Sequence, residues 1–74
     1  MPTPAPAIGT LLLDLVRDQL GEFRGELGNR WFLRPACGGT EWEVAPERTR
    51  PATAEQRLRV ATARANARSR GELL

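Results

Sequence analysis

Apolar and polar positions alternate with a period of two in several short runs of this chain, the signature of half-buried strands. The clearest run is Arg30–Arg34, with Trp31 and Leu33 on one face and Arg30, Phe32 and Arg34 on the other. Glu41–Ala45 reads the same way, setting Trp42 and Val44 against Glu41 and Glu43. Paired antiparallel with Leu33 opposite Trp42, the two runs bring Trp31 opposite Val44, Arg34 opposite Glu41 and Phe32 opposite Glu43. A one-residue slip would set Trp against Glu, so the register is strongly specified. Pro35–Thr40, "PACGGT", is then the connecting loop, with Gly38-Gly39 supplying backbone conformations that other residues resist.

Upstream, "LGEFRGEL" over Leu20–Leu27 places a glycine two residues to either side of Phe23. Glycine inside a strand marks a bulge, a bend or the close approach of another backbone. Gly28-Asn29 supplies a turn into the next strand. The run Ile8–Leu20 fits two patterns. Thr10 could cap a helix carrying Leu12, Leu15, Val16 and Leu20 on one face, while Leu11, Leu13 and Leu15 alternate as in a strand. A short strand over Gly9–Leu13 with a turn near Asp14–Gln19 is favoured, because every following element up to residue 50 reads as β. Arg48–Arg50 forms a last short strand or a single turn.

The period changes after Pro51. Thr53 is a suitable helix N-cap, Gln56 three residues on completes a capping box, and Glu55 sits near the positive end of the helix dipole. The helix is expected to run to Ser69 or Arg70 with Gly71 past its end. Leu58, Ala61 and Ala65 share one stripe and Val60, Ala63 and Ala67 another, both slight in bulk, so the helix docks loosely on the sheet or packs against a second copy. The predicted class is mainly β with a C-terminal α-helix: a small SH3-like barrel of four to five antiparallel strands plus one helix. Residues 1–7 read as a disordered Pro/Ala tail, 8–50 as the barrel and 51–71 as a basic C-terminal helix. Phe23, Trp31, Leu33, Trp42 and Val44 are the expected core.

Length limits this picture to one domain, since a chain of 74 residues buries only about 60% of its extended surface. With one Cys and no His, neither an internal disulfide nor a zinc set is available, and no metal or cofactor is expected. The lone thiol and a start without a secretory pattern read as cytoplasmic, with no membrane span. All eleven basic residues are Arg. Residues 1–47 carry four Arg against seven Asp or Glu, and residues 48–74 seven Arg against two Glu. A basic segment is thus joined to a mildly acidic body.

Chemistry is constrained more by what is missing. Cys37 as a nucleophile wants a base, and the chain has no His. Gly38-Gly39 as a phosphate cradle wants a helix N-terminus or a Lys behind it, and "TEWEV" offers neither. Without His, Tyr or Lys the commonest acid–base and nucleophilic choices are gone, so the expectation is a protein that is not an enzyme. Arg48, Arg50, Arg57, Arg64 and Arg68 are the candidate partner or nucleic-acid contacts, against the plainer reading of a solvated helix face. No array of exposed aromatics adds to the nucleic-acid case.

The stretches Leu33-Arg34-Pro35, Gly38-Gly39, Glu41-Trp42-Glu43 and Asn66–Gly71, within roughly residues 9–73, resemble a group of small actinobacterial, Streptomyces-type proteins. These share the pattern GEF…LRP-x-GG-x-EWE…RPAT…ERL…NARSRG. The resemblance implies a conserved small module of the size of regulatory accessory proteins, and it transfers no functional residue. The leading expectation is therefore a regulatory or accessory interaction module. It would bind a protein partner, or a second copy of itself, through its barrel edge and its Ala/Arg-rich helix. The alternative is a nucleic-acid-binding regulator that holds the phosphate backbone through its C-terminal arginines.

Overall fold

The computed structural model describes residues 4–71. Five antiparallel strands, β1 (Leu11–Asp14), β2 (Gln19–Leu27), β3 (Arg30–Pro35), β4 (Trp42–Val44) and β5 (Thr49–Pro51), form one sheet in the order β4-β3-β2-β1-β5. A 3-10 turn over Pro46–Arg48 links β4 to β5, and a single helix, α1 (Ala54–Gly71), follows. The chain is thus mainly β with one C-terminal helix.

The β3–β4 ladder pairs Trp31 with Val44, Phe32 with Glu43 and Leu33 with Trp42, as the two matched faces require. Arg34 and Glu41 do not extend it. β4 begins only at Trp42, and the Glu41 carboxylate lies 4.0 Å from Nε of Arg24 instead. Pro35 belongs to β3, paired with Gly21, so the loop proper starts at Ala36. Gly38 and Gly39 occupy the left-handed region at φ 91° and 130°, where a Cβ is strained.

Between Ile8 and Leu20 the strand pattern prevails over the helical one. Leu12 and Asp14 point inward from β1, and Leu15 and Val16 stand exposed in the turn that follows. Had this run been helical, Leu12, Leu15 and Val16 would have shared a buried stripe. Two boundaries differ slightly from the expected ones: Pro51 pairs with Leu12 in the sheet, and α1 includes Gly71, expected just past its end, as its last residue. Of the N-terminal tail, residues 1–3 lie outside the described residues. Residues 4–7 form neither helix nor strand, and Pro6 is half-buried.

The sheet is rolled. In the strand order, β4 and β1 are three spacings apart, about 14 Å in a flat sheet. Yet the Trp42 indole N–H donates to the Asp14 carboxylate across 2.7 Å. Rolling encloses Leu12, Phe23, Trp31, Leu33, Trp42 and Val44 in one buried cluster, Leu12 joining the five residues read as core. Phe23 meets Trp31 edge to face, ring centroids 5.3 Å apart. No ladder joins the end strands β4 and β5, so the barrel stays open along that seam, spanned by the 3-10 turn.

Both glycines beside Phe23 matter. The register of β2 against β3 shifts between Phe23 and Gly25, a bulge that bends the long strand. At Gly21 the reason is space, since a Cβ there would lie 2.8 Å from the tip of the Trp42 ring and 3.0 Å from the Arg34 carbonyl oxygen. Gly21→Ala is expected to cost about 1–3 kcal/mol by overpacking, because the carbonyl cannot swing aside and the ring is walled in by the core. A urea melt followed by tryptophan fluorescence checks it, and a midpoint equal to wild type would show that the ring yields freely.

Candidate functional site

The helix begins as its capping box dictates. The Gln56 backbone N–H donates to Thr53 Oγ1 at 3.1 Å, and the Thr53 backbone N–H donates to Gln56 Oε1 at 2.9 Å. Alanine and arginine are strong helix formers, which carries the element on with little tertiary help. At about 100° per residue, Arg57, Val60 and Arg64 cluster on one side. That side faces the sheet. Val60 is buried, and with Arg57, Ala61 and Arg64 it lines a crevice of about 350 Å³ opposite Gly9, Thr10, Leu11 and Pro51.

This docking divides the five candidate arginines. The Arg57 guanidinium donates to the Ala52 carbonyl at 2.9 Å. Arg64 reaches further, donating from Nε to the Ala36 carbonyl and from an η nitrogen to the Glu22 carboxylate, each at 2.8 Å. It thereby ties the helix to β2 and to the loop after β3. Both side chains serve the chain's own fold. Arg48, Arg50 and Arg68 remain exposed, but on three separate elements: the 3-10 turn, β5 and the outer half of α1. The helix also carries the pair Glu55–Arg59 at 2.6 Å, an exposed i,i+4 contact of small energetic weight.

The adjoining flank of α1, about 100° round the helix from Val60 and Arg64, is exposed. Ala54, Leu58 and Ala65 share it, with Ala61 at the edge of the crevice, and Leu58 is 67% exposed. The molecule measures 48 × 23 × 21 Å. An 18-residue helix is about 27 Å long, so much of that long dimension is α1 running out beyond the barrel.

A polar cluster that the sequence did not announce lies at the end of β1. Asp14, only 2% exposed, accepts from the backbone N–H groups of Val16 (2.8 Å) and Arg17 (3.0 Å) through Oδ1 and from the Trp42 indole through Oδ2. The Arg17 guanidinium lies over the Trp42 ring, 4.9 Å from its centroid. Burial alone would push the Asp14 carboxyl up. The N–H donors of Arg17, Trp42 and Val16, with the Arg17 charge, outweigh it and hold the carboxyl below its ordinary value. Two signals pointed here: the alternation that sends Leu12 inward also sends Asp14 inward, and a core indole N–H needs an acceptor.

The cluster borders a polar cleft of about 550 Å³ whose walls include Arg17, Arg30, Glu43, Glu47 and Arg48. Cys37 stands exposed in its loop. Among the described residues, no three His, Cys, Asp or Glu side chains gather where they could hold a metal ion, and no helix is long and apolar enough to cross a membrane. No family model, no curated protein and no solved structure matches this chain.

Proposed function

We propose that this protein is a non-enzymatic interaction module of regulatory or accessory type, and that it binds a protein partner through the uncovered face of α1. One observation carries the reading: Val60 and Arg64 hold the helix against the body, which leaves Leu58, Ala61 and Ala65 exposed on the adjoining flank. Anchors at i, i+3 and i+7 suit an apolar groove on a partner. Arg68 stands beside the stripe, so a groove with an acidic rim complements it best. The nucleic-acid reading is weaker, since Arg57 and Arg64 are engaged within the chain and the exposed Arg48, Arg50 and Arg68 do not share one element.

Affinity capture from a lysate of the source cells, with the full chain and Leu58→Glu as paired baits, tests this. A protein retained by the wild type and depleted about ten-fold or more by Leu58→Glu is the expected result. Identical captures would overturn the helix face as the binding surface. Light scattering tells whether the partner is a second copy: the mass would be that of two chains, falling to one in Leu58→Glu. A labelled duplex or RNA retarded by micromolar protein at low salt, released as salt rises and weakened by Arg68→Ala, would move the function to nucleic acid.

A further inference from the structure

A second surface, independent of the helix face, follows the free edge of β4, and the strand pairing fixes which way its backbone groups point. The Phe23 N–H donates to the Thr10 carbonyl and the Phe23 carbonyl accepts from the Gly9 N–H, each at 2.8 Å, so both groups turn toward the β1 side. Leu33, opposite Phe23, therefore turns its own groups away, toward β4, as residues of a non-hydrogen-bonded antiparallel pair do. Leu33–Trp42 and Trp31–Val44 are then the hydrogen-bonded pairs of the β3–β4 ladder. Between them, Glu43 points its N–H and C=O away from β3, and among the described residues no backbone group meets them. The other end strand offers no such donor. The Arg48 carbonyl accepts from Leu15 at 2.9 Å and the Ala52 N–H donates to Leu11 at 3.0 Å, so Thr49 and Pro51 are the outward-facing residues of β5. The Thr49 N–H is given to the Pro46 carbonyl and Pro51 has none, which blunts that edge and leaves β4 open.

The polar cleft of about 550 Å³ lies along this edge, with β4 on one side and the turn after β1 on the other. Of its charges, Asp14 is committed to Trp42 and to the turn, and Arg17 rests over the Trp42 ring. That leaves Arg30 and Arg48 with Glu43 and Glu47, all four exposed and, among the described residues, in no ion pair. A ligand of one sign would be repelled by two of the four, whereas a segment carrying both signs can pair with each. A second copy adding its own β4 about a two-fold axis would set Glu43 directly opposite Glu43, which like charges disfavour. One residue beyond Trp31–Val44, the same register brings Arg30 beside Ala45. An added antiparallel strand, the sense of every ladder in this sheet, therefore matches the edge with a basic residue beside Glu43 and an acidic one beside Ala45, two positions earlier in its own sequence.

We propose that the β4 edge docks an extended segment of a partner protein, of the pattern acidic-x-basic, which adds a further antiparallel strand to the sheet. The Glu43 N–H and C=O hold the segment's backbone, and the charges set its register. β-Branched residues at the intervening positions keep such a segment extended.

The test titrates the full chain with the synthetic peptide Ac-Thr-Glu-Val-Lys-Val-Thr-amide at low salt and follows amide and indole NMR shifts. The expected result is saturable binding with shifts at Glu43, Ala45, Arg48 and the Trp42 indole N–H. Methylating the backbone nitrogen of the peptide's lysine removes the donor that faces Glu43 and should weaken binding about ten-fold or more. Exchanging the peptide's glutamate and lysine should do the same. From the protein's side, Glu43→Pro removes an N–H that the β3–β4 ladder does not use, so circular dichroism should stay that of wild type while binding is lost. Should Glu43→Pro lose the fold, the methylated peptide decides in its place. No saturable binding at millimolar peptide overturns the site. Equal binding of the methylated peptide, or undiminished binding to folded Glu43→Pro, overturns strand addition, and equal binding of the exchanged peptide overturns the charge pattern. Shifts confined to Leu58, Ala61 and Ala65 would put the segment on the helix face, overturning the edge site while leaving the helix reading intact.

Discussion

Trp42→Ala is expected to leave the chain unfolded at room temperature. Truncating a buried tryptophan costs about 3–5 kcal/mol through lost burial and the cavity left behind. Here the loss is compounded. The indole donates to Asp14, so the variant leaves a buried carboxylate oxygen without its partner, a further cost of roughly 1–3 kcal/mol. The ring also fills the space that Gly21 leaves open and supports the Arg17 guanidinium. A domain of 74 residues has a total stability of roughly 4–11 kcal/mol, so the combined loss takes most or all of it. Far-UV circular dichroism would show the sheet signal gone. A cooperative urea transition within about 2 kcal/mol of wild type would mean that the rolled sheet does not depend on this residue.

The β3–β4 pairing was legible because both faces of two short strands carry chemistry: Trp31 and Leu33 meet Val44 and Trp42, and a one-residue slip buries Glu43. The helix start was legible for a similarly local reason, since Thr53 and Gln56 satisfy each other's backbone donors within one turn. Ile8–Leu20 was harder, because a run of leucines fits either period and only its neighbours decide. What stayed hidden depends on contacts far apart in sequence. Arg64 looks like any solvent-facing arginine until β2 and the loop after β3 bring Glu22 and Ala36 to it. Asp14 looks like the start of a turn, and it does accept the turn's N–H groups. That the same carboxylate also anchors an indole on β4 follows only once the sheet is rolled. The candidate site was legible as a list of arginines but not as a division between those that fasten the helix and those that face outward.

Asp14→Asn separates the two jobs of that carboxylate. The amide can still accept from Val16 and Arg17 through its oxygen, but its NH2 group then opposes the Trp42 indole N–H, donor against donor. A loss of about 2–3 kcal/mol is expected at neutral pH, as for a charge-assisted hydrogen bond replaced by an unsatisfied buried donor. The pH dependence identifies the cause. Burial works against the charged form, the N–H donors and Arg17 work for it, and the net effect lowers the folded-state value below that of the unfolded chain, near 3.9. Stability from this ionisation is therefore fully present above about pH 5 and is lost as the pH falls below 4 and through the depressed folded value. Wild type and Asp14→Asn should thus differ most at neutral pH and converge in strong acid, where the wild-type carboxyl is also neutral. Urea midpoints measured in parallel from pH 7 down to about 2 would read it directly, and a gap that stays constant across that range would mean that the charge of Asp14 contributes nothing beyond its shape.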